Sequence, residues 1–270
     1  MTVFEFVPAG VSDCSVKAYL HDDINSLMVH NRPRPAIIVC PGGGYQLVSG
    51  READPVALPY FASGYNVYTL TYSVGREGAK DYKPLCQLAA TIAEIRRRAE
   101  EWRTQKDKIA VCGFSAGGHL AASLGVMYED EGFLQAYGRQ EHIRPDAMIL
   151  SYPVITADEY AHVASIEHVS GAVAGSEEYK RFDLTQYVSS STPPAFVWHT
   201  AADAAVPVEN SLQLCAALSK AKVPFEYHVL PEGKHGLSVC TDAVGTPDPY
   251  NGRWLEWSIK WLNRVFEYEA

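Results

Sequence analysis

Ser115 lies between two glycines in Gly113-Phe-Ser115-Ala-Gly117, and a serine hydroxyl becomes a nucleophile once a base takes its proton. The G-x-S-x-G string is short, so its surroundings carry the argument. The apolar run Ile109–Cys112 leads in, and a small-residue helical stretch from Gly118 to Gly125 leads out. That is the strand–turn–helix setting in which a serine is held exposed on a sharp turn. The helix start also aims backbone N–H groups at any negative charge developing there. The competing reading is a plain strand-to-helix turn with an accidental serine.

Acyl transfer needs amide donors for the oxyanion. One follows the nucleophile, here Ala116. The others are expected from Pro41-Gly42-Gly43-Gly44-Tyr45, directly after the apolar run Ala36–Cys40. Gly43 and Gly44 are the expected donors, because glycine lets backbone approach a substrate closely. Pro41 stands where an HGGG loop has histidine. No Lys follows the glycines, and the spacing misses GxGxxG, which argues against a phosphate loop. A purely structural glycine turn is the other alternative.

Chain order Ser, acid, His, each after a successive strand, is the α/β-hydrolase order. The run Ala195–Thr200 leads to Asp203, and Phe225–Leu230 leads to Pro231-Glu-Gly-Lys-His235-Gly. Asp203 and His235 are therefore the expected acid and base, with Glu232 and Asp242 as rival acids. His119 reads as a packed helix residue and His199 as a buried strand residue. His21, His30, His142, His162, His168 and His228 have no motif context. There is no HExxH. His162 and His168 have loose ligand spacing without a further Cys or His pair, so no metal and no cofactor is expected.

The fold class expected is α/β: a mostly parallel central sheet with helices on both faces. Its strands are Ala36–Cys40, Asn66–Thr71, Ile109–Cys112, Ala147–Ser151, Ala195–Thr200 and Phe225–Leu230, each apolar enough to be covered on both faces. Residues through about Leu20 read as antiparallel edge strands. Leu85, Leu88, Ile92, Ile95, Ala99 and Trp102 recur at helical spacing, as do Leu212, Leu214, Ala217 and Leu218. Ser49-Gly-Arg-Glu52 has the form of a capping box that starts a helix. Trp254, Trp257 and Trp261 read as a last helix packed on the sheet. The less regular stretch 153–191 reads as an excursion over the sheet that could form a partial cap.

The 270 residues suit a single domain over 1–270, and 47% hydrophobic residues suffice for a full core. A net charge of -9 disfavours nucleic acid and anionic membrane as partners. The start MTVFEFVPAG has no basic stretch before an apolar core, so no leader and a cytoplasmic location are expected. No apolar run reaches the roughly 18 residues of a membrane span. The six cysteines lack a CxxC pair and read as reduced, with Cys40 and Cys112 buried in strands. A small-molecule ester is the expected partner, and a homo-oligomer stays open.

Several segments together resemble a known family. They are Cys40-Pro-Gly-Gly-Gly-Tyr45, Ser49-Gly-Arg-Glu-Ala-Asp-Pro55, Gly64-Tyr-Asn-Val67, Tyr72-Ser-Val74 and Gly113-Phe-Ser-Ala-Gly-Gly-His-Leu120, continued by Pro193–Asp203, Val206-Pro207 and Gly233–Leu237. From about Pro35 to its end the chain resembles the small α/β-hydrolase esterases, in the acetyl xylan esterase and feruloyl esterase-like group. The resemblance implies hydrolysis of short acyl esters, such as acetyl esters of sugars, through an acyl-enzyme. It puts Ser115, Asp203 and His235 on catalytic positions, and Gly43, Gly44 and Ala116 on oxyanion positions. Where the family often has a second acid beside the catalytic one, this chain has Ala202. With no leader expected, imported acetylated oligosaccharides fit better than polymeric xylan. Tyr45, beside the oxyanion loop, is a candidate for sugar stacking. An amide-type hydrolase, formamidase or peptidase, could use the same residues. A noncatalytic binding module that kept the fold is the reading from another class.

Overall fold

Side chains alternate between two cores along the strands, one core on each face of the sheet. The computed structural model describes residues 1–22, 32–139 and 141–269. Its strands are β1 (Thr2–Phe6), β2 (Ser15–Leu20), β3 (Arg34–Cys40), β4 (Asn66–Thr71), β5 (Thr104–Phe114), β6 (Ala147–Ser151), β7 (Ala195–Thr200) and β8 (Phe225–Leu230). Their order across the sheet is β1-β2-β4-β3-β5-β6-β7-β8. β1 and β2 are antiparallel to each other, and β2 is antiparallel to β4, while β4 through β8 run parallel. The expected strands are all present, and the N-terminal pair sits at the edge as expected.

The helices are α1 (Asp54–Ala62), α2 (Arg76–Ala79), α3 (Lys83–Arg97), α4 (Ala116–Met127), α5 (Glu131–Tyr137), α6 (Val163–Ser170), α7 (Glu177–Lys180), α8 (Glu209–Ala221) and α9 (Arg253–Val265). Ile38, Val111, Leu150 and Val197 point to one face, where α3, α4 and α8 cover them. Ile37, Ala110, Ile149 and Phe196 point to the other, against α1 and α9. Pleating makes this two-sided burial automatic once each strand carries apolar residues at both parities. Trp254 and Trp261 are buried under the sheet, and Trp257 stacks on His228.

Four expectations need correction. β8 closes the sheet as an edge strand, so Phe225 and Val229 are exposed rather than covered. α3 ends at Arg97, and Trp102 is buried beyond it in the turn that leads to β5. Leu212 is exposed on α8, whose core face is Leu214, Cys215 and Leu218. Ser49 makes no side-chain cap: a short 3-10 turn over Gly50–Glu52 precedes α1, and Glu52 points inward. The described cysteines are free thiols; Cys14 and Cys86 are half-buried and the others buried. Among the described residues no helix is long and apolar enough to cross a membrane.

Candidate active site

The loops after β3, β5, β7 and β8 all leave the sheet at its C-terminal edge, where open parallel sheets build their sites. Ser115 is the first residue past β5, at φ 52 and ψ −118, on the tight turn into α4. Glycine is obligatory at its second neighbour on the helix side. A β-carbon at Gly117 would overlap the carbonyl oxygens of Cys40 and Pro41 on the adjacent strand end. That close approach brings the glycine loop against the serine.

His235 Nε2 lies 2.8 Å from Ser115 Oγ, and His235 Nδ1 lies 2.7 Å from Asp203 Oδ2. A carboxylate accepts only, so Nδ1 carries the ring proton and bare Nε2 accepts from the serine hydroxyl. The Asp203 carboxylate is itself fixed. Its Oδ1 accepts from the Ala205 and Val206 amides, at 2.9 and 3.0 Å. His199 Nε2 stands 3.4 Å from Oδ2 while donating to the Val206 carbonyl at 3.0 Å. Burial acts to raise the Asp203 carboxyl. The hydrogen bonds from His199 and His235, the His235 charge and the Val206 amide outweigh it and hold the group well below the usual carboxylate range.

The glycine loop turns its carbonyls into the protein. The Gly42 carbonyl accepts from the Ser49 amide at 2.9 Å, and the Gly43 carbonyl accepts from the Gln46 and Leu47 amides. The Gly44 carbonyl accepts from His168 Nδ1 at 3.0 Å. In a trans peptide the N–H opposes the preceding C=O, so the Gly43 and Gly44 amides face away from these contacts. Neither amide has an acceptor among the described residues. Gly43 and Gly44 adopt φ 129 and 66, conformations that favour glycine. Ala116 opens α4, and its amide has no intrahelical acceptor to serve.

Tyr45 does not line an opening. It is 1% exposed, packs edge-on against Tyr72 and His119, and is held by His119 Nδ1 at 2.9 Å. Tyr45 is a core residue, and the expected stacking surface is absent at that position. His119 donates from Nε2 to the Phe182 carbonyl at 3.0 Å, so its Nδ1 accepts from Tyr45. Burial pushes His119 down from 6.5 to about 4. The unfolded chain takes up this proton as pH falls through 6.5, whereas the folded chain resists until about 4. Stability is therefore lost across that window, with His119 contributing about 3 kcal/mol of the fall. Urea unfolding between pH 7 and 4 checks this. Replacing His119 with Gln should flatten the slope by about 1.4 kcal/mol per pH unit.

The remaining histidines scatter. His162 Nδ1 meets Ser165 Oγ at 2.8 Å, and His168 Nδ1 meets the Gly44 carbonyl. His21 stacks on Phe61 and His228 on Trp257. His30 lies outside the described residues. Among the expected acids it is Asp203, not Glu232 or Asp242, that accepts from His235 Nδ1, and Asp242 opens a 3-10 turn.

Residues that the motifs did not disclose hold the histidine loop. Arg51 donates to the carbonyls of Val244 and Gly236, at 2.7 and 3.0 Å. Thr200 Oγ1 donates to the Gly233 carbonyl at 2.9 Å, and Trp254 Nε1 to the Ser238 carbonyl at 2.9 Å. Tyr152 sets its ring edge-on to His235 at 5.1 Å. These partners are distant in sequence, and no local pattern announces them.

Comparison with known proteins agrees with this architecture. An endo-1,4-beta-xylanase B from Butyrivibrio fibrisolvens is 36% identical over 227 residues, 83% of this chain and 35% of that protein. An acetylxylan esterase from Xylanibacter ruminicola is 28% identical over 261 residues, 91% of this chain and 50% of that protein. The chain thus spans a third to a half of the length of these curated relatives. The crystal structure of an acetyl ester-xyloside bifunctional hydrolase from Caldicellulosiruptor lactoaceticus superposes with a TM-score of 0.81 at 33% identity. That match covers 95% of this chain and 89% of the other. The sheet order and flanking helices, with such neighbours, are those of the α/β-hydrolase fold. Residues 23–218 match the BD-FAE family, and the chain belongs to it.

Proposed function

We propose that this chain is a serine carboxylic ester hydrolase that removes short acyl groups, acetyl foremost, from sugars or oligosaccharides. The observation that carries the reading is the unbroken line from Asp203 through the His235 ring to the Ser115 hydroxyl, beside a loop with outward amides. Ester hydrolysis is further supported by the BD-FAE match and by an esterase among the relatives. An acetylated sugar is supported by relatives named for acetylxylan and for acetyl ester-xyloside hydrolysis.

In this mechanism His235 Nε2 takes the Ser115 proton as Oγ attacks the ester carbonyl carbon. The amides of Gly43, Gly44 and Ala116 receive the oxyanion. Asp203 holds the ring tautomer and stabilises the imidazolium. His235 then hands its proton to the departing alcohol, leaving the acyl group on Ser115. Water, deprotonated by His235, attacks the acyl carbon; His235 returns that proton to Ser115 Oγ as the acyl–oxygen bond breaks and the acid leaves. The 153–191 excursion serves as a partial cap, with α6 reaching the glycine loop through His168.

A hydrolysis screen tests the reading. Acetate release from acetylated xylo-oligosaccharides is expected. The kcat/KM for p-nitrophenyl esters should fall about 10-fold or more from acetyl to octanoyl. Preferred cleavage of formanilide or a peptide would move the assignment to an amidase. Failure to label with a fluorophosphonate would favour a noncatalytic module.

A further inference from the structure

We propose that Glu52 and Tyr152 form a buried brace that holds the oxyanion loop and the histidine loop in register, making Glu52 a positioning residue for the reaction. The inference rests on the esterase reading and adds residues that none of its steps uses.

Glu52 is 4% exposed, although it follows a surface turn. Its Oε2 accepts from the Gly42 amide at 2.7 Å, and its Oε1 accepts from the Tyr152 hydroxyl at 2.7 Å. The same hydroxyl accepts from the Ser238 amide at 2.9 Å, three residues past His235. One carboxylate and one phenol thus link segments 10, 100 and 86 residues apart in the chain. At the far end, Ser238 Oγ donates to the Arg51 carbonyl at 2.6 Å and closes a ring.

The contacts fall where alignment matters. Tyr72 donates to the Pro41 carbonyl at 2.6 Å, so both sides of the Pro41–Gly42 peptide are pinned, the N–H by Glu52. That peptide precedes Gly43 directly. A β-carbon on Gly42 would lie 2.8 Å from Glu52 Oε2 and 3.1 Å from Ser115 Cβ, so the carboxylate, the loop and the nucleophile pack as one unit. Burying a carboxylate is costly in itself, and burial pushes Glu52 above its usual range. A cap at the start of α1 would need no such burial. Both oxygens are instead spent on donors from site loops.

Glu52→Gln and Tyr152→Phe test the brace. Glutamine offers one acceptor oxygen where two donors are served. Phenylalanine keeps the Gly42 contact but leaves the Ser238 amide unpaired. A donor displaced by a fraction of an ångström should lower kcat for p-nitrophenyl acetate by about 10- to 100-fold, with KM within about twofold. A trifluoromethyl ketone adds the Ser115 oxygen to its carbonyl and sets an oxyanion on the same amides. Its Ki should weaken by the same factor as kcat/KM. A purely structural role would lower the melting temperature and leave the Ki of the folded enzyme unchanged, which would overturn the proposal. If Glu52→Gln does not fold, Tyr152→Phe decides alone. Variants with wild-type kcat beside an inactive Ser115→Ala sink the brace and leave the esterase standing. A wild type that turns over no ester sinks the esterase reading, and the brace with it.

Discussion

Replacing Ser115 by alanine is expected to lower kcat for p-nitrophenyl acetate by about a millionfold and to abolish fluorophosphonate labelling. The mechanism has no second oxygen to attack with, since Ser115 Oγ is the hydroxyl that meets His235 Nε2. The melting temperature should stay within a few degrees. The backbone contact from the Ser115 amide to the Ser151 carbonyl, at 3.0 Å, does not involve the side chain. Alanine also keeps the β-carbon that the turn already accommodates. Turnover within tenfold of wild type would remove Ser115 from the mechanism.

Asp203→Asn is the second large effect, a loss of about 10⁴-fold in kcat. The surroundings dictate how asparagine must sit. The Ala205 and Val206 amides both donate to Oδ1, so the asparagine oxygen takes that place. Its NH₂ then faces His235 Nδ1, which must become the acceptor. The ring proton moves to Nε2, and the serine meets an N–H instead of a lone pair. The fold should survive, because His235 Nδ1 keeps a partner and His199 Nε2, facing the new NH₂, still donates to the Val206 carbonyl. Steady-state kinetics beside circular dichroism would check this; a variant with a tenth of the wild-type kcat would contradict it.

What could be read from the chain alone depends on how far apart the relevant residues lie. The elbow is legible because strand, serine and helix are consecutive, from Ile109 to Gly125. The strands Asn66–Thr71, Ala147–Ser151 and Ala195–Thr200 are legible because apolar residues at both parities demand cover on two faces. The positions of Asp203 and His235 follow from strand order, and their side chains meet Ser115 in one hydrogen-bonded line. Tyr45 misleads because its neighbours in sequence belong to the site, while its ring is claimed by His119, 74 residues on. Glu52 misleads in the same way. Its spacing from Ser49 imitates a helix cap, and the groups that bury it come from Gly42 and Tyr152. Edge position is equally nonlocal: nothing within Phe225–Leu230 says that no ninth strand lies beside it among the described residues.

The backbone at Ser115 is held at φ 52, ψ −118, and Tyr152, after the neighbouring strand, at φ 38. Residues with a β-carbon resist such angles, at about 1–3 kcal/mol each. A glycine at position 115 would relieve that resistance while deleting the hydroxyl that the proposed mechanism uses as its nucleophile. Heat tolerance and turnover therefore pull this turn in opposite directions. On the proposed mechanism, directed evolution scored on thermal endurance alone would drift toward inert protein, so each round must also be scored on acid release.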